Sequence, residues 1–71
     1  MTRITFNQRI LGGKPLIRGT RISVDFILEL FAAGMTESHI LKEYPRLKRA
    51  DIRAALEYAA RTVKKEEILI R

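Results

Sequence analysis

Two spacings of apolar residues divide the chain near Ser23. Before it, Ile4-Thr5-Phe6 and Leu16-Ile17 are short runs of types that fit a pleated strand, and turn formers separate them: Gly12-Gly13-Lys14-Pro15 and then Arg18-Gly19-Thr20. This predicts one or two short hairpins. A phosphate-cradling loop is a poor reading of the glycines, because Pro15 follows Lys14 where that motif needs Ser or Thr opening a helix.

From Ser23 the spacing is helical. Ser23 reads as an N-cap, Asp25 suits the positive end of the helix dipole, and Val24, Ile27, Leu28 and Phe31 recur at i, i+3, i+4 and i+7 up to Gly34. Phe26, Leu30 and Ala33 form a second apolar line on this helix. Such a helix needs cover on two sides, one from the domain core and the other from the N-terminal strands or a second copy of the chain, which makes these three residues interface candidates. Thr36 caps a short second helix through Tyr44, with Ile40, Leu41 and Tyr44 apolar, and Pro45 ends it. His39 occupies its first turn without the partners that a metal site or acid–base chemistry requires. A third helix is expected from Lys48 or Arg49 to about Lys65, carrying its apolar stripe on Ile52, Ala55, Leu56, Ala59 and Val63.

The fold class implied is mainly α: a three-helix, helix-turn-helix domain over residues 23–67, preceded by a β-hairpin segment (1–22) and followed by a tail (68–71). Ile68-Leu69-Ile70 either continues the third helix or pairs as a strand; either way it is a candidate for partner contact. Leu47 is expected to pack the turn between the second and third helices.

Size and charge then narrow the function. Seventy-one residues make one small domain with a thin core, no cysteine is available to staple it, and oligomerisation is the usual remedy. No apolar run is long enough for a membrane span or a secretory signal, which predicts a cytoplasmic protein. Fourteen basic residues against eight acidic ones leave a net charge of +6, a balance that favours a polyanion or an acidic protein as partner. The basic residues fall into two groups. Arg3, Arg9, Lys14, Arg18 and Arg21 precede any acid; Arg18 and Arg21 are assigned to a subunit or partner interface, where they can meet Asp25 and Glu29. Lys42, Arg46, Lys48, Arg49 and Arg53 cluster around the second turn and are the candidate DNA contacts, Lys42 and Arg46 on phosphate and the other three nearest base edges. Ala50 and Ala54 beside Arg49 and Arg53 allow close approach. No nucleophile with a base, paired-carboxylate site or metal cluster assembles, so neither an enzyme nor a cofactor is expected.

The run Gly12-Gly13-Lys14-Pro15-Leu16-Ile17-Arg18-Gly19-Thr20-Arg21-Ile22, with Ala33-Gly34-Met35-Thr36, Ile40-Leu41, Tyr44-Pro45 and Asp51-Ile52-Arg53-Ala54-Ala55-Leu56, resembles the small bacterial and archaeal family first catalogued as domain of unknown function four-three-three. The resemblance extends from about Ile4 to Ala60. It implies a VapB-like antitoxin that sequesters a PIN-like ribonuclease toxin and represses its own operon, with the glycines, Pro15, Thr20 and Arg21 structural in the hairpins. One departure concerns the start of the third helix, where the family has Ser or Thr before an acid and this chain has Lys48-Arg49-Ala50-Asp51. A weak cap with two cations beside it leaves two readings: an external anion, such as a DNA phosphate, is accommodated at that helix end, or the weak cap is simply tolerated. The alternative function is a protein-only dimerisation or toxin-binding adaptor that makes no sequence-specific DNA contact.

Overall fold

A computed structural model of the chain describes residues 3–70, with side chains over residues 3–65. Strands β1 (Ile4–Thr5) and β2 (Leu16–Ile17) pair antiparallel, Ile4 opposite Ile17 and Thr5 opposite Leu16. A single 3₁₀ turn, Leu11–Gly13, lies in the connection. The other edge of β2 is also occupied: Leu16 bridges Ser23, and the Ile17 amide donates to the Ile22 carbonyl at 2.9 Å across the Gly19 turn. Both hairpins therefore form. Thr20 locks the second one, its hydroxyl donating to the Ile17 carbonyl at 2.8 Å and accepting from the Ile22 amide at 3.0 Å.

Three helices follow: α1 (Val24–Ala32), α2 (Glu37–Glu43) and α3 (Arg49–Ile70). Each of the first two is capped as its sequence predicts. Ser23 Oγ accepts from the Phe26 amide and Thr36 Oγ1 from the His39 amide, both at 3.1 Å. The Ser23 hydrogen bond to Asp25, with Lys14 Nζ 3.2 Å from its carboxylate, holds the Asp25 pKa below its ordinary value of 3.8. Because the folded value is the lower one, Asp25 stabilises the fold fully above about pH 4 and loses that contribution as pH falls through the lowered pKa. Acid titration of wild type against Asp25→Asn is expected to show a small extra loss in wild type only, since both partners are exposed.

Gly34 ends α1 in a Schellman arrangement. Its φ is +96°, its amide donates to the Phe31 carbonyl at 2.9 Å, and the Met35 amide reaches the Leu30 carbonyl at 3.1 Å. Gly34→Ala forces an L side chain into that conformation and is expected to cost about 1–2 kcal/mol in urea unfolding.

The core lies where α1, α2 and α3 meet the inner side of β2. Ile17, Val24, Ile27, Ile40, Leu47, Ile52 and Ala55 are buried together, and Leu47 fills the turn between α2 and α3 as expected. The third-helix stripe is shorter than its spacing implied. Ile52 and Ala55 are buried, but Leu56 is 42% and Val63 60% exposed, because α1 and α2 cover only the first turns of α3. The helix also runs past Lys65 to Ile70, so the backbone of the tail over residues 68–70 is helical and not a strand; the side chains of Ile68, Leu69 and Ile70 lie outside those described. Within the chain, Phe26 packs its ring edge-on against Tyr44, centroids 5.6 Å apart, and Leu30 is half-buried against the core. The second apolar line of α1 is thus partly covered by α2, and Ala33 stands exposed at the helix end. Among the described residues no helix is long and apolar enough to cross a membrane.

Candidate nucleic-acid interface

The start of α3 is finished from within the chain. Lys48 cannot cap with its own side chain, but Asp51, three residues on, turns back and accepts the Lys48 amide on Oδ2 at 3.0 Å. This is the second half of a capping box without the first. Its other oxygen, Oδ1, accepts from Arg3 Nη1 at 2.9 Å. Asp51 is buried, so both oxygens need these donors. The expected external anion at this helix end is therefore replaced by an internal carboxylate, which also anchors Arg3 and so the start of β1 just after it. Asp51→Ala is expected to cost about 1–3 kcal/mol, through the missing cap and the loosened β1, read as a fall in thermal midpoint.

Anchoring β1 beside α3 creates an open cleft of about 770 Å³. One wall is Arg3, Ile4, Thr5 and Phe6, with Arg18 reaching in from the end of β2; the other is Ala50, Arg53, Ala54, Glu57, Tyr58 and Arg61 of α3. Phe6 is 57% exposed and tilts against Tyr58 with ring centroids 6.2 Å apart. A second cleft, of about 720 Å³, adjoins it and shares Thr5, Phe6 and Arg18. Arg21 and Arg46 line this one, and Arg46 Nη1 donates to the Gly19 carbonyl at 3.4 Å, tying the α2–α3 turn to the hairpin. Six arginines thus line one continuous surface whose only acidic lining residue, among the described residues, is Glu57.

The two charge groups of the sequence are consequently not separate patches. Arg18 and Arg21, assigned to a subunit interface, lie with Arg46 and Arg53, assigned to DNA. The remaining predicted contacts lie off this surface. Lys42 is exposed in the last turn of α2, Lys48 is exposed before α3, and Arg49 is paired with Glu37 on α2, which offsets its charge. Arg3 and Arg61 were not anticipated. For Arg61 a signal existed, since Arg53, Glu57 and Arg61 recur at i+4 on one side of the helix. Arg3 had none beyond its charge, because only the hairpin register and Asp51 bring it there. His39 lies 3.8 Å from Glu43 on exposed helix surface.

A two-stranded hairpin folded onto three helices, with its basic clefts between hairpin and third helix, defines a small mainly helical domain. Residues 4–59 match the family described as protein of unknown function DUF433, and the chain belongs to that family. It is similar to the crystal structure of a DUF433 member from Anabaena variabilis, with a TM-score of 0.85 and 27% identity over 99% of this chain and 69% of that one. It is also 39% identical over 56 residues to the uncharacterized protein y4eO of Sinorhizobium fredii, covering 79% of this chain and 25% of that protein. The chain therefore spans about a quarter of the length of this curated relative.

Proposed function

We propose that this protein is an antitoxin-like, DNA-binding regulator that neutralises a PIN-like ribonuclease toxin and represses its own operon. The observation that carries the DNA reading is the convergence of Arg18, Arg21, Arg46, Arg53 and Arg61 on one surface beside α3, with Arg3, its charge offset by Asp51, at the edge. In this reading α2 and α3 form the helix-turn-helix, with Ala50 and Arg53 on the exposed part of α3 entering a major groove. Hairpin arginines on one flank and Arg46 in the turn hold the adjoining phosphates. The antitoxin part of the reading follows from the family resemblance.

The test is retardation of the DNA upstream of the protein's own reading frame, against an unrelated duplex of equal length. Wild type is expected to prefer its own fragment, and Arg53→Ala to erase the preference while retaining weak binding to both. Equal binding of the two fragments by wild type would overturn sequence-specific regulation.

A second reading, the protein-only adaptor, is favoured by one feature. Phe6 stands exposed among the arginines, an apolar contact that a phosphate backbone does not use but an acidic protein segment does. Co-purification with the product of the neighbouring reading frame, without DNA retention, is the outcome that selects it.

A further inference from the structure

Phe6 stands where the two clefts meet, since it lines both of them. Its ring leans on Tyr58, centroids 6.2 Å apart and planes at 58°, and Tyr58 is itself packed against the core. The ring is thus held in place while Phe6 stays 57% exposed. Arg53 and Arg61 of α3 lie in the first cleft, Arg21 of the second hairpin and Arg46 of the α2–α3 turn in the second, and Arg18 borders both. Although lysines occur elsewhere in the chain, every cation lining the two clefts, among the described residues, is an arginine. The difference is chemical. A guanidinium is planar, grips a phosphate through two parallel hydrogen bonds and also stacks on flat rings, whereas an ammonium is a point charge.

A held aromatic ring between two groups of arginines suits an unpaired nucleotide. We propose that the joined clefts bind single-stranded nucleic acid, one base stacked on Phe6 and the phosphates to either side of it on Arg53 and Arg61 in one direction and on Arg21 and Arg46 in the other. A paired duplex does not use the ring in this way, because its base faces are stacked on one another. An acidic peptide answers the arginines but covers Phe6 only as an apolar patch, which an aliphatic side chain at that position serves equally; stacking needs the ring. The inference rests on the reading of this surface as a nucleic-acid interface. It is independent of the antitoxin assignment and of α3 entering a major groove.

The test is fluorescence anisotropy of a short labelled thymidine oligonucleotide, beside an abasic strand of the same length and the duplex from the upstream region, all at one salt concentration. Wild type is expected to bind the thymidine strand roughly tenfold more tightly than the abasic strand, the scale of one base–aromatic stack. Phe6→Leu keeps an apolar side chain against Tyr58 and should abolish that difference with an unchanged circular dichroism spectrum. Phe6→Trp should retain it. Because the chain has no tryptophan of its own, the indole fluorescence of that variant should be quenched by the thymidine strand and not by the abasic one. Equal binding of the two strands by wild type, or a folded Phe6→Leu chain that still discriminates between them, would overturn the proposal. Binding of the duplex without the thymidine strand overturns it alone, whereas binding of neither also overturns the nucleic-acid reading of the surface. Displacement of the thymidine strand by polyglutamate of equal charge at equal concentration would overturn it in favour of an acidic protein partner.

Discussion

Ile52→Ala is expected to unfold a large fraction of the molecules at physiological temperature. Ile52 is fully buried at the point where α3 meets α1 and α2, and truncating such a residue costs about 2–5 kcal/mol through reduced burial and cavity formation. At about 0.05–0.15 kcal/mol per residue, a domain of this length has only roughly 4–10 kcal/mol in total. The substitution therefore removes between a fifth and all of the stability. Urea unfolding should show the midpoint falling sharply with an unchanged slope. Leu56→Ala, one helical turn further, is the informative contrast. With Leu56 as exposed as it is, measurement on the monomer should give a destabilisation of under about 1 kcal/mol. Similar destabilisation at both positions would mean that α3 is packed along its whole stripe, contrary to the exposure of Leu56 and Val63.

The second large effect is expected on binding. Arg18→Ala combined with Arg53→Ala removes two of the charges lining the cleft between β1 and α3, and both side chains are exposed, so the fold should survive. Every phosphate that is no longer neutralised takes about 0.9 from the slope of log affinity against log salt. The double variant should therefore bind DNA with a slope shallower by about 1.8 and with affinity at least about tenfold lower at low salt. Lys42→Ala with Lys48→Ala removes the same charge from outside the clefts and should change the slope far less. If the two pairs behave alike, net charge and not the cleft governs binding.

Local chemistry is readable in the sequence: Ser23 and Thr36 cap the helices they precede, Gly34 ends α1, and Pro45 falls just after α2. These signals act over a few residues, and no distant contact overrides them. Helical spacing is readable only in part. It places Ile52, Leu56 and Val63 on one side of α3, but it carries no information on where along the helix the covering elements stop. Long-range pairing is the least readable. Asp51 reads as a poor helix start beside two cations, yet Arg3, forty-eight positions earlier, meets it and fixes β1 in place. That ion pair and the Arg46–Gly19 hydrogen bond hold two basic groups, well separated along the chain, on a single surface. Phe26 gives the converse lesson, since an apolar residue that asks for a partner subunit in one dimension finds Tyr44 in three.

The central claim is that the arginine-lined surface beside α3 binds nucleic acid, and the salt dependence of duplex binding tests it most directly. Fluorescence anisotropy of a labelled duplex from the protein's own upstream region, titrated at several potassium chloride concentrations, gives the slope. With Arg18, Arg46, Arg53 and Arg61 on phosphate, the slope should be about −3.6. No measurable binding at low salt, or a slope near zero, would contradict that claim.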